Sequence, residues 1–83
     1  MTRRVMLDTE TTGLEVKEGE RIIEIGLVEY EGLTPTGKTY HSFINPEGRQ
    51  VMAGAIAVHG ITNEKLQGAP FFRDIAEDIF TFI

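Results

Sequence analysis

The sequence predicts an α+β fold in which a three-stranded antiparallel meander is covered by helices. Three observations carry that prediction. Strand-like runs fill the first half: Val5-Met6-Leu7, then Ile23, Ile25 and Leu27 alternating with Glu24, Gly26 and Val28, then residues 39–44. Two glycines and a proline in residues 31–38 separate the second and third runs as a hairpin loop does. The apolar period then changes. Phe72, Ile75, Ala76, Ile79, Phe80 and Ile83 recur at helical spacing and form one amphipathic stripe.

The first strand is expected over residues 4–9. Val5-Met6-Leu7 is continuously apolar, which reads as a strand buried on both faces. Residues 14–20 are polar around Gly19 and read as a surface loop. Residues 21–30 form the second strand, where Gly26 marks a bulge or the close approach of another element. The third strand, 39–44, ends at Asn45-Pro46-Glu47-Gly48. The alanine-rich segment 50–58 predicts a short helix with Gly60 as its C-cap. A second short helix starts at Ile61, with Thr62 as N-cap. Pro70 opens the last helix at a first-turn position. Arg73, Asp74, Glu77, Asp78 and Thr81 fill its polar face, and Asp74 and Asp78 read as solvated surface.

Eighty-three residues make at most one domain. Without cysteine there is neither a disulfide framework nor a thiolate metal site, which fits a reducing, cytoplasmic compartment. No apolar run approaches the roughly 20 residues of a membrane span, so no membrane partner is expected. Thirteen acidic residues against eight basic ones give a net charge of −5. That counts against a protein that grips a long nucleic-acid backbone through a basic stripe. It leaves room for an enzyme that meets a nucleic-acid end through bound cations, because the ions supply the positive charge.

Asp8-Thr9-Glu10-Thr11-Thr12-Gly13 is the stretch with chemistry in it. Successive strand side chains point to opposite faces, so Asp8 and Glu10 share a face ~7 Å apart. Two carboxylates at a strand end repel one another and lose hydration unless a cation neutralises them. A hard divalent ion with oxygen ligands is the fitting neutraliser. The plainer alternative is a solvated Asp-x-Glu. Glu24 likewise admits two readings, a third metal ligand or a carboxylate on the less buried sheet face, and the second is preferred. His41 reads as a surface or half-buried histidine rather than a ligand.

Four stretches in register carry a resemblance: Asp8-Thr9-Glu10-Thr11-Thr12-Gly13, Ile22-Ile23-Glu24-Ile25-Gly26, Phe43-Ile44-Asn45-Pro46 and Val58-His59-Gly60-Ile61-Thr62. Together they resemble the DnaQ-like (DEDDh) 3'→5' exonucleases of the epsilon proofreading type, over essentially the whole chain. The resemblance implies a ribonuclease H-like fold, of which residues 1–83 are the N-terminal portion. It implies metal-dependent phosphodiester hydrolysis at the single-stranded 3' end of DNA during replication, with two Mg²⁺ or Mn²⁺ ions. It further implies the catalytic subunit and other core subunits of bacterial DNA polymerase III as partners. Asp8 and Glu10 would be catalytic metal ligands. Thr9, Thr11, Thr12, Leu14, Val58 and His59 would contact substrate, with Leu14 wedging against the terminal base.

The family uses four carboxylates and a histidine general base, and this chain supplies the first two carboxylates. Neither His41 nor His59 matches the general-base position, and Gly54 stands where a substrate-contacting Glu can occur. The 83-residue chain alone is therefore expected to bind divalent ions weakly and to degrade DNA at background rate. The alternatives are a non-catalytic piece or interaction module of the same family, and an RNA-trimming relative.

Overall fold

The order of elements is β1 (Arg3–Thr11), β2 (Ile22–Glu31), β3 (Thr34–Phe43), α1 (Ala53–His59), α2 (Asn63–Leu66) and α3 (Phe72–Phe82). The computed structural model describes residues 2–13 and 21–83. The polar segment 14–20, and Leu14 with it, lies outside the described residues. The three strands form one antiparallel sheet in the order β1-β2-β3, as the pattern predicted.

β1 and β3 run longer than expected. β1 stays paired through Glu10↔Glu24 to Thr11↔Ile22, with a register shift between Glu10 and Thr11. The hairpin loop contracts to Gly32-Leu33, because Thr34 and Pro35 already pair with Glu31 and Tyr30. Gly32 takes φ 63°, the left-handed conformation that a two-residue hairpin requires. Pro35 is tolerated because β3 is an edge strand. A shift between Val28 and Tyr30 absorbs the irregularity.

The core lies on one face of the sheet. Ile25 and Leu27 of β2 pack with Ile44 and with Ile75, Ile79 and Phe82 of α3, flanked by Val5 and Tyr40. A second cluster joins Ile23 to Val51, Ala55, Ile61 and Leu66, so α1 and α2 close the end of the sheet nearest the Thr11–Gly13 turn. Burial pushes the Tyr40 phenol pKa up, and the charge of Asp78 adds to the effect.

Two expectations about burial need correction. Val5-Met6-Leu7 is not buried on both faces, since Met6 is 61% and Leu7 60% exposed. Met6 pairs with Val28 on the face opposite the helices, and Leu7, beside Leu27 on the edge strand, lies outside the cluster that Val5 of the same strand joins. The α3 stripe is also narrower than its apolar residues suggest. Phe82 turns inward, while Phe72, Ile83 and Phe80, the last 80% exposed, flank the contact. A single layer covers only the strip that faces it, here positions 75, 79 and 82.

The helix ends differ from expectation in detail. Gly60 does cap α1, with φ 70° and its N–H donating to the Ile56 carbonyl. Thr62 sits at the N-cap of α2, but its side chain makes no capping bond. Pro70 stands outside α3, whose N-cap is Phe71, and its carbonyl accepts the Asn45 N–H at 2.8 Å. Asp74 is more than solvated surface, because its carboxylate accepts the Phe71 N–H at 3.0 Å and closes the first turn.

Arg3 closes the other end of α3. Its Nη1 donates to the Ile83 carbonyl at 2.6 Å and its Nη2 to Phe82, while its Nε meets Glu29 at 2.6 Å. Arg3 first, and then the Thr36 hydroxyl, hold the Glu29 carboxyl below its ordinary value of 4.5. A depressed carboxyl pKa stabilises the fold above the unfolded-state value, and that contribution is lost as pH falls through the folded-state value. In urea titrations, Arg3→Gln is expected to weaken the protein at neutral pH and to flatten its loss of stability below pH 4.5. An unchanged acid limb in that variant would contradict the assignment.

Candidate active site

Asp8 and Glu10 lie on the sheet face away from the helices. The register fixes this: Thr9 pairs with the buried Ile25, while Asp8 pairs with Gly26 and Glu10 with Glu24. Asp8 is exposed and Glu10 half-buried. Among the described residues neither carboxylate has a hydrogen-bond or ion-pair partner. They line a shallow cavity of about 130 Å³ with Thr9, Glu24, Gly26 and His41. Gly26 forms its floor. Its neighbours across the strands are Asp8 on one side and His41 on the other, and its missing side chain leaves the row open at the centre.

Two unpartnered carboxylates on one face suit an oxygen-ligated divalent cation, which satisfies both without a protein cation. No three potential ligands converge closely enough to hold an ion among the described residues. Glu24, the one further carboxylate in the cavity, is engaged elsewhere: its Oε2 lies 2.5 Å from His41 Nε2. An ionised carboxylate only accepts hydrogen bonds, so His41 donates. His41 also meets Phe43 edge-on, at 5.1 Å between ring centroids. Glu24 is thus a carboxylate on the less buried face, and His41 an exposed histidine with a partner.

The turn after β1 is stapled from three sides. Thr12 is fully buried. Its N–H donates to the Arg21 carbonyl at 2.8 Å, its hydroxyl oxygen accepts the Arg21 N–H at 2.9 Å, and its carbonyl accepts the Met52 N–H at 2.8 Å. The Thr11 hydroxyl donates to the Gly13 carbonyl. His59 completes the arrangement from the far end of α1. Its Nδ1 accepts the Ile61 N–H at 3.0 Å, which leaves Nε2 as the donor to the Thr11 carbonyl, also at 3.0 Å. α1 therefore grips the turn with residues at both of its ends.

The predicted site residues fall into two groups. Asp8 and Glu10 come together on the open face. Thr11, Thr12 and His59 come together at the turn, with Val58, 78% exposed, beside His59. Thr9 points to the opposite face from the carboxylates. Sequence reasoning missed Arg21 and Met52, which act through backbone groups and leave no side-chain signal. It also missed the partnership of Glu24 and His41, which only the strand register brings together.

Comparison with known proteins gives a consistent picture. A family model described as RNase T, exonuclease, matches residues 5–83. The DNA polymerase III subunit epsilon of Rickettsia typhi is 48% identical over 81 residues, covering 98% of this chain and 35% of that protein. The subunit of the same description from Escherichia coli K12 is 40% identical over 87 residues, covering all of this chain and 35% of its own length. The chain thus spans about a third of these relatives. Among solved structures, the nuclease domain of 3'hExo, a DEDDh family member bound to rAMP, superposes with a TM-score of 0.80 at 21% identity. It covers 96% of this chain, and 42% of that chain is matched. A full-length 3'-exonuclease gives the same TM-score at 22% identity, with 96% and 28% covered. At that level of identity the superpositions establish the ribonuclease H-like fold. With its family model matched from the first strand to the last helix, the chain belongs to the RNase T exonuclease family.

Proposed function

We propose that this chain contributes the first half of the active site of a metal-dependent 3'→5' DNA exonuclease of the polymerase III epsilon type, a proofreading enzyme of replication. The observation that supports this best is the pair of unpartnered carboxylates, Asp8 and Glu10, on one sheet face next to a turn pinned by α1. Asp8 and Glu10 would hold two divalent ions, Mg²⁺ or Mn²⁺. Held there, such ions would supply Lewis-acid chemistry, easing the ionisation of water and offsetting charge on the phosphodiester oxygens.

The chain's own residues orient the substrate. Asp8 and Glu10 reach the scissile phosphate only through the cations they hold, so their shared face sets where that phosphate rests. Thr11 and its turn receive the terminal nucleotide, with Thr9 and the exposed Val58 at its margin and Leu14 against its base. Thr12, whose polar groups are engaged within the protein, serves by fixing the turn. Both ring nitrogens of His59 are engaged too, so its contact with the nucleotide is through the ring face, in the manner of base stacking on aromatic side chains. By the same reading the protein works in the cytoplasm beside the polymerase III catalytic subunit. No helix among the described residues is long and apolar enough to cross a membrane.

The direct test incubates the protein carrying this chain with Mg²⁺ and single-stranded DNA labelled at its 5' end. Stepwise shortening from the 3' end, stopped by EDTA, is the expected result. Shortening of RNA in preference to DNA would move the protein to an RNA-trimming role, and no shortening of either would overturn the exonuclease reading. The 83-residue chain alone, with two of four family carboxylates, is expected to show only background release. A further variant probes the turn: His59→Ala strips a partner from Thr11 and Ile61 and costs about 1–2 kcal/mol in thermal unfolding. It is expected to raise KM for the DNA end more than it lowers kcat, and a parent-like KM would remove His59 from the substrate site.

A further inference from the structure

The face that carries Asp8 and Glu10 holds a third carboxylate. Glu24 stands directly opposite Glu10 in the β1–β2 register. Opposed residues of an antiparallel pair have Cβ atoms about 5 Å apart, and like charges in that position repel. Glu24 lines the same cavity as Asp8 and Glu10, and left free it would offer a cation a seat between itself and Glu10. In the structure the Glu24 carboxylate, on the wall of that same cavity, is engaged by His41 instead. It accepts from His41 Nε2 at 2.5 Å across the β2–β3 pair. His41 is itself held edge-on to Phe43. Gly26, in the row between Asp8 and His41, has no side chain to stand in the way.

We propose that His41 is a positioning residue for the Asp8–Glu10 pair: by donating to Glu24 it holds this third carboxylate toward β3, so that a divalent cation meets the two carboxylates of β1 alone. The inference rests on the reading of Asp8 and Glu10 as cation ligands. It assigns His41 no contact with substrate or metal.

Mn²⁺ binding to the protein carrying this chain, followed by calorimetry, tests the proposal without reference to turnover. His41→Phe keeps an aromatic ring against Phe43 but cannot donate to Glu24. It is expected to bind Mn²⁺ roughly tenfold more tightly, since a released carboxylate adds a charged ligand. With the ion drawn toward Glu24, kcat on a DNA 3' end falls while KM stays near the parent value. His41→Gln, whose side-chain amide still donates, is expected to keep the parent affinity. The double variant Glu24→Gln/His41→Phe removes the released charge and is expected to return to it. Thermal melts confirm that each variant is folded.

Mn²⁺ affinity in folded His41→Phe equal to that of the parent overturns the positioning role. Failure of Glu24→Gln to reverse the change does the same. Mn²⁺ binding in the parent that is indifferent to Asp8→Ala has a different meaning, since it removes the cation-ligand reading on which the inference stands.

Discussion

Alanine at Asp8 is expected to abolish metal-dependent release of nucleotides from a DNA 3' end, lowering kcat by at least about a thousandfold. Losing one of the four family carboxylates forfeits several kcal/mol of charge stabilisation in the transition state, and each 1.36 kcal/mol is tenfold in rate. The fold should tolerate the change. Asp8 is exposed and makes no hydrogen bond or ion pair with any described residue, so its removal costs the sheet little. This combination of inactivity with an unchanged melting temperature separates a ligand from a structural carboxylate. Glu10→Gln, which keeps shape and loses charge, is expected to act in the same direction. Measuring Mn²⁺ binding beside turnover completes the test. A folded Asp8→Ala protein that still releases nucleotides at a parent-like rate would end the exonuclease assignment of this face.

The largest effect on stability is expected at Leu27. Its side chain is 0% exposed at the centre of the cluster that joins β2 to α3. Leu27→Ala removes its buried methyl groups and leaves a cavity that the surrounding Ile25, Ile75 and Ile79 fill only in part, which costs about 3 kcal/mol. Chains of this size have little stability in reserve, so a loss of that order leaves a substantial unfolded fraction. Leu33→Ala is the contrast. Leu33 lies in the hairpin turn and is largely exposed, so the same truncation should cost less than ~0.5 kcal/mol. Urea denaturation of both variants checks the pair. Equal losses would mean that the core is not where the structure places it.

Much of this molecule is legible in its amino-acid sequence. Ile23, Ile25 and Leu27 alternate with polar or small residues, and a period of two with one apolar face has few solutions besides a half-covered strand. Gly60 follows an alanine-rich run and precedes an apolar residue, and it caps α1 as a left-handed residue does. Asp8 and Glu10 had to share a face because strand geometry leaves no alternative. Where the sequence misled, the cause was the environment of each strand and helix. Met6 and Leu7 are apolar, yet they are exposed on an edge strand of a sheet that helices cover on one side. Phe80 and Phe82 are identical side chains two positions apart. The direction in which α3 meets the sheet buries one and exposes the other.

Residue type, motif order and local periodicity carried the family resemblance, the antiparallel meander and the placing of Asp8 and Glu10 on one strand face. How those residues are supported came from the way the elements pack. Strand register set Glu24 opposite Glu10 and brought His41 within 2.5 Å of it, from positions 17 residues apart in the chain. Packing of α1 against the end of the sheet turned His59 and Met52 into staples of the turn, using backbone carbonyls that every residue possesses. Such partnerships depend on which backbone atoms approach one another, and residue type does not encode that approach.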